Sequence, residues 1–250
     1  MNLSVTIITY NEAKNIERCI QSVKAVADEI IIIDSFSTDD TTAIAKQLGA
    51  KVFNHSFKGY GESKNLANEK AKNDWILSID ADEVLDEKLV NSILNLKDKL
   101  NNTTVYEFSR LNNYCGKWIR FGAWRSDNKI RIFNKTAVKW NLAEVHESLI
   151  IPENFVVEKL KGKLLHYSYA TVASHLNKIE KYSTLGAEET YKKGKQASFI
   201  KIYFSPVFRF FRDYILMLGF LDGKYGFIIA LLTAKEVYLK YKKLKELRSN

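Results

Sequence analysis

The chain has 250 residues, 46% of them hydrophobic, with only 2 Pro and 11 Gly, which excludes a disordered or low-complexity chain and leaves room for a sizeable core. Its net charge of +9 suits partners that carry phosphate: nucleotides, nucleic acid or an anionic membrane surface. The 2 cysteines, Cys19 and Cys115, form no metal-ligand spacing, and a reduced, cytoplasmic setting is the simpler reading.

Residues 3–10 read as a first strand, because Val5, Ile7 and Ile8 are β-branched and Thr6 and Thr9 fit a pleated surface. This strand starts almost at once, so a cleaved signal peptide is not expected. After a polar turn, Ile16, Cys19, Ile20, Val23 and Val26 recur at helical spacing. Residues 29–34 form a second buried strand that ends in Asp34, and residues 35–40 are rich in helix-starting side chains. The helix that follows carries Ile44, Ala45 and Leu48, and Gly49 stops it. A short third strand covers Lys51, Val52 and Phe53, and a helix lies around Lys64. Strands alternating with helices at short intervals predict right-handed crossovers and a mainly parallel sheet flanked by helices. Ligands bind beyond the carboxyl ends of the strands in such a sheet, and Tyr10, Asp34 and Asp80 all fall there.

Residues 75–83 organise the rest. Trp75, Ile76, Leu77 and Ile79 make an apolar strand, followed by Asp80, Asp82 and Glu83 with only Ala81 between the aspartates. Like charges this close repel unless a cation or a set of donors sits among them. One reading is a site for Mg²⁺ or Mn²⁺ bridging carboxylates to a substrate diphosphate. The other is a solvated acidic turn capping the next helix.

Past an amphipathic helix over 86–100, residues 105–110 read as a strand. Residues 113–125 mix Tyr114, Trp118, Phe121 and Trp124 with Lys117, Arg120 and Arg125. Residues 129–133 alternate charged and apolar side chains, as a half-buried strand does. A further strand over 163–169 carries His166, and the chain reads as helical from Thr171 to its end. There, Phe204, Val207, Phe208, Phe211, Tyr214, Ile215 and Leu218 recur at helical spacing, interleaved with Arg209 and Arg212, and Pro206 suits a helix's first turn. Lys235, Lys240, Lys242, Lys243, Lys245 and Arg248 form a basic end. The run over 204–218 and a second apolar one over 225–234 are each shorter than the ~20 residues of a spanning helix. The tail is therefore expected to lie in a membrane interface, with packing on the catalytic domain or a second subunit as the alternative.

The opening Val5-Thr6-Ile7-Ile8-Thr9-Tyr10-Asn11-Glu12, the Ile33-Asp34-Ser35-Phe36-Ser37-Thr38-Asp39 turn and Asp80-Ala81-Asp82-Glu83 occur together and in order. In this the chain resembles family-two glycosyltransferases of the GT-A fold. Trp124-Arg125-Ser126-Asp127, Arg131-Ile132-Phe133 and Val145-His146-Glu147 resemble the small bacterial enzymes that add glucose to the lipopolysaccharide inner core. The resemblance implies a GT-A catalytic domain over 1–170, with a nucleotide-binding half (1–100) and an acceptor-side half (101–170). A helical, membrane-associating tail then covers 171–250.

By the same resemblance, Asp82 ligates Mg²⁺ or Mn²⁺, Asp80 shares the ion or binds the ribose side, and His146 is a further metal or diphosphate contact. Asp34 holds the nucleobase, with a helix-capping turn acid as the alternative. Thr9, Tyr10 and Glu12 close that pocket, and Arg131 belongs to the nucleotide-sugar site. Lys64 lies near the nucleotide or is a solvated helix residue. Inversion at the anomeric carbon needs a general base. Glu147 is the first candidate, Asp127 the second and Glu144 a weaker third; Asp127 could instead hold the acceptor or pair with Arg131. Trp118, Trp124 and Trp140 suit either acceptor sugar rings or the core.

The expected activity is inverting transfer of a hexose, glucose by resemblance, from a nucleotide sugar (UDP-hexose) to a glycan or glycolipid. The expected place is the inner face of the cytoplasmic membrane, with a homo-oligomer compatible and nucleic acid not a partner. The competing reading is a non-enzymatic nucleotide or nucleic-acid binding protein using the basic aromatic region, which leaves the strand-end acids unexplained.

Overall fold

A computed structural model describes residues 2–125, 127–142 and 147–249. The chain divides into two compact units: Met1–Arg110 with Asp127–His166, and Leu111–Ser126 with Tyr167–Asn250. A single boundary at 170 takes no account of residues 111–126, which group with the tail.

The first unit opens with strand β1 (Leu3–Thr9), helix α1 (Ile16–Val23), β2 (Glu29–Asp34), α2 (Thr41–Gln47), β3 (Lys51–Asn54) and α3 (Tyr60–Lys70). Next come β4 (Trp75–Asp80), β5 (Glu83–Leu85), α4 (Glu87–Leu96) and most of β6 (Thr104–Tyr114), whose last four residues belong to the second unit. A short β7 (Lys117–Ile119) belongs to the second unit. The first unit resumes with β8 (Asp127–Asn134), β9 (Lys139–Trp140), β10 (Leu149–Ile150) and most of β11 (Val156–Tyr169). Strand order is β3-β2-β1-β4-β8-β6-β11-β5. The β3-β2-β1-β4 half is parallel, as short βα crossovers dictate, and β8 turns antiparallel against β4. The nearly unbroken apolar runs of β1, β2 and β4 follow from this: each is covered on both faces. Ile16, Cys19, Ile20 and Val23 of α1 are fully buried, together with Val5, Ile7, Leu77 and Leu89.

The acidic stretch does not run into a helix. Glu83 instead begins β5, which pairs antiparallel with β11 and sets Glu83 opposite His166. The cap of α4 comes three residues later, where Asp86 Oδ1 accepts from Leu89 N at 2.7 Å.

The second unit is mainly helical: α5 (Val172–Lys192), α6 (Phe199–Phe211) and α7 (Lys224–Ser249), with a π turn over Arg212–Leu216 and a 3₁₀ turn over Gly219–Asp222. Thr171 caps α5, accepting from Ser174 N at 3.1 Å. Pro206 is buried in the interior of α6, not in its first turn, so the Ile202 carbonyl loses its usual i+4 donor. Gly219 and Gly226 permit tight packing where the chain reverses, since a Cβ on Gly226 would lie 1.9 Å from the Gly219 carbonyl oxygen. Part of the basic end packs inside this unit. Lys243 reaches Glu180 of α5, and the Arg248 guanidinium lies 4.6 Å from the Tyr191 ring centre. Among the described residues no helix is long and apolar enough to cross a membrane.

Candidate active site at the carboxyl edge of the parallel sheet

Parallel register sets Thr9 of β1 beside Asp34 of β2, and Ile8 beside Asp80 of β4. Three adjacent strand ends thus deliver their polar residues to one edge of the sheet. The loops beyond β1 and β2 are stitched together by the motif residues. Asn11 N donates to Ser37 Oγ at 2.8 Å, Asn11 Oδ1 accepts from Thr38 N at 2.8 Å, and Ala13 N donates to Asp39 Oδ2 at 3.1 Å. Asn11 and Phe36 adopt left-handed φ of 54° and 60°, so these two turns carry backbone strain at this edge of the sheet.

Asp34 is buried, and its oxygens accept the Ser37 N–H and hydroxyl, so it holds its own turn rather than capping α2, which begins only at Thr41. Glu12 holds the start of α1, its carbonyl accepting from Asn15 N and Ile16 N and its carboxylate from the Asn15 amide. Tyr10 is exposed at the rim. Thr9 Oγ1 is buried and has no hydrogen-bond partner among the described residues.

The acidic stretch is neutralised by an alternating chain of charges. Lys64 Nζ lies 3.1 Å from Asp80 Oδ1 and 3.0 Å from Glu147 Oε1. Arg131 bridges Asp80 Oδ2 at 2.9 Å and Glu83 Oε1 at 2.5 Å. Arg110 then joins Glu83 at 3.1 Å to Asp127 at 2.6 Å. Glu83 Oε2 accepts from Asp80 N at 3.0 Å, which closes the turn. Burial pushes the Asp80 carboxyl up, but Lys64 and Arg131 outweigh it and hold the group well below the usual carboxylate range. For Arg131, burial pulls the other way and loses to Glu83 and Asp80, so the guanidinium titrates above its ordinary value.

Lys64 is 2% exposed, so it is not a solvated helix residue. Its place depends on Gly61, where a Cβ would sit 1.9 Å from the Asn141 carbonyl oxygen. With no side chain there, α3 lies against β9, and the Asn65 amide pairs with the Trp140 backbone at 2.9 and 3.0 Å. Lys64 Nζ then stands 4.6 Å from the Trp140 ring centre.

Asp82 Oδ2 lies 3.2 Å from His166 Nε2. Among the described residues no three His, Cys, Asp or Glu side chains converge as a ready cage for a metal. The pair still fits a divalent cation, one carboxylate and one imidazole being a donor set suited to Mn²⁺. Asp80 fits less well, because both its oxygens already face cations. His146 and Glu144 lie outside the described residues. His166 is missed by sequence reasoning because only the β5–β11 pairing brings it beside the acidic turn.

The surroundings of Asp127 and of the tryptophans, open in the sequence, are visible in the structure. Asp127 pairs with Arg110 and Lys129 rather than with Arg131. The aromatic residues are packing groups: Trp140 sits edge-on to Phe133, and Trp124 joins Tyr114, Tyr169 and His175 in a cluster of the second unit. Trp118 meets the Tyr167 ring edge-on. Tyr114 and Trp124 thus offer no open stacking platform, and the nucleic-acid reading loses its main support.

A parallel sheet with strand-end acids, extended by antiparallel strands and lacking a glycine-rich phosphate turn, is the GT-A arrangement. The chain belongs to glycosyl transferase family 2, whose model matches residues 4–148. An uncharacterized glycosyltransferase of Rickettsia bellii is 33% identical, the match covering 98% of this chain and 86% of that protein. The lipopolysaccharide core biosynthesis glycosyltransferase LpsC of Rhizobium meliloti is 30% identical over 96% of this chain and 93% of its own length. Glucosyl-3-phosphoglycerate synthase of Mycobacterium tuberculosis, solved with Mn²⁺ and UDP-glucose, is 24% identical with a TM-score of 0.38. That match covers 45% of this chain and 44% of the synthase, so the chain spans less than half of it.

Proposed function

We propose that this family-two enzyme transfers a hexose, with inversion, from a UDP-sugar to a glycan of the lipopolysaccharide core or its lipid-linked precursor. The observation that carries the reading is the chain of paired charges at the strand ends, with Asp82 and His166 beside it. LpsC, a relative along nearly the whole chain, supports the class of acceptor.

The uridine lies over the stitched loops, bounded by Thr9, Tyr10 and Glu12, with Asp34 acting through the Ser37 turn it holds. Asp82 and His166 would hold Mg²⁺ or Mn²⁺, which when bound would supply neutralising charge to the diphosphate. Lys64 and Arg131 add fixed positive charge where the diphosphate gains negative charge on leaving, and Asp80 holds both in place. A carboxylate takes the acceptor hydroxyl proton as the new C–O bond forms at the anomeric carbon and the old one breaks toward the diphosphate. Glu147 is our first assignment, because Lys64 ties it to Asp80; Asp127, held by Arg110, is the second. The acceptor being lipid-linked, the enzyme works as a peripheral protein on the cytoplasmic face of the inner membrane.

The test is a UDP-sugar hydrolysis and binding screen with Mn²⁺, Mg²⁺ or chelator. UDP should raise the melting temperature of the wild type in a metal-dependent way, and His166→Ala should lose that dependence. No UDP binding at millimolar concentration, with or without metal, overturns the reading.

A further inference from the structure

Helix α6 turns the wrong side outward for a protein surrounded by water. Ile200, Phe204, Val207, Phe208 and Phe211 are all exposed, with Phe204 at 61% and Phe208 at 62%. Their spacing of three or four residues makes one continuous stripe along the helix. Only Ile202 and Pro206 of the helix are buried. Just past the helix, Leu216, Phe220 and Leu221 are exposed as well. So many exposed apolar side chains on one helix and the turn after it mark a contact with something other than solvent.

Charge decides what that something is. The second unit, Leu111–Ser126 with Tyr167–Asn250, holds 18 Lys and Arg against 7 Asp and Glu, a net charge of +11. The first unit holds 20 against 22, a net charge of −2, so the entire positive excess resides in the unit that bears the stripe. The only acids between Phe199 and Lys224 are Asp213 and Asp222, and both are buried. Asp213 sits between Arg209 and Arg212, each at 2.7 Å, and Asp222 Oδ2 accepts from Arg120 N and Phe121 N at 3.0 and 2.8 Å. No carboxylate of residues 199–224 therefore faces outward. A second copy of this chain fits poorly, because it would set one unit of +11 against another. The 13 residues of α6 span only about 20 Å, too little to cross a bilayer but enough to lie along its surface.

We infer that the exposed face of α6, continued through the turn at 216–221, inserts among the headgroups of an anionic phospholipid leaflet. The inference rests on the peripheral placement proposed above and names the surface responsible. The aromatic and aliphatic side chains enter the acyl boundary, while the surrounding lysines stay with the lipid phosphates.

The experiment uses the full chain and vesicles of phosphatidylglycerol with phosphatidylethanolamine, against vesicles of phosphatidylcholine alone. Wild type should co-sediment with the anionic vesicles at low salt, weaken at high salt, and leave phosphatidylcholine unbound. The double variant Phe204→Gln/Phe208→Gln removes two exposed rings, so its melting temperature should hold while its vesicle partition falls by roughly 100-fold. Hydrolysis of UDP-sugar in solution should be unchanged in the variant. Vesicle binding by a wild type that binds no UDP at millimolar concentration, with or without metal, supports this surface and removes the catalytic reading instead. Absence of binding to anionic vesicles at low salt, or equal binding by the double variant, overturns the inference. So does light scattering that shows a wild-type dimer broken by the variant, which would make the stripe a self-association face.

Discussion

The two units of this chain handle charge and apolar surface in opposite ways. In the first, acids and bases nearly balance, and the charges that matter are drawn inward, with Lys64, Arg131 and Glu83 all buried. In the second, bases exceed acids by 11, the acids near α6 are hidden, and aromatic rings face outward. Buried alternating charge holds a constellation rigid for chemistry, since each ion fixes its neighbours in a medium that screens weakly. Exposed apolar groups among unbalanced bases instead recognise a surface rather than a molecule.

The contrast breaks most sharply at the proposed base. Glu147→Gln keeps shape but cannot take a proton, and transfer should fall by 10²–10⁴-fold, as roughly expected for a general base, with UDP binding retained. Should Asp127→Asn show that pattern and Glu147→Gln not, the two roles exchange.

Next in size is Arg131→Ala, which strands Glu83 and Asp80 without their shared guanidinium. Removing one partner of a buried pair costs about 3–5 kcal/mol, and denaturant unfolding should register it. A loss below about 1 kcal/mol would mean that water enters the site freely. Asp82→Ala, at a more open position, should cut activity by at least ~10²-fold while leaving the melting temperature unchanged. Full activity of that variant in excess chelator would remove the metal.

The units should also answer acid differently. His175, buried in the aromatic cluster with Tyr114 Oη 3.0 Å from its Nδ1, is pushed down to about 4 by burial and by Lys178. Its unfolded form takes a proton near 6.5, so the folded form binds fewer protons between these values. Stability from this group is full above about pH 6.5 and is lost as pH falls toward 4, at most about 3 kcal/mol. His175→Phe should flatten that limb. Asp80 acts lower: its depressed carboxyl contributes fully above about pH 4 and loses its contribution only below. A melting profile with no loss between pH 6.5 and 4.5 would contradict the assignment for His175. The smallest effect is expected at Ser37→Ala, which frees Asp34 and should cost about 1 kcal/mol.

Much of this was legible in the chain order. The strands over 3–10, 29–34 and 75–80 announce themselves as unbroken apolar runs because a parallel sheet covers both faces. Their terminal acids follow from the rule that such sheets bind ligands at the carboxyl edge. Pro206 misled, because its position inside a helix depends on where α6 begins, and capping at Ser198 sets that. His166 was named only as a strand residue. Its neighbour Asp82 lies far away in sequence, and antiparallel pairing with β5 alone supplies the contact.

The sequence by itself determined the crossover topology, the family and the set of acids at the strand ends, since these rest on local periodicity and short motifs. Tertiary structure alone decided how those acids are neutralised. That Lys64 is buried between Asp80 and Glu147, and that Arg131 takes Asp80 and Glu83 rather than Asp127, depend on the approach of α3 to β9 at Gly61 and on the register of β8. Ion pairs between distant segments are set by geometry, and geometry of that kind leaves no periodic trace in the chain.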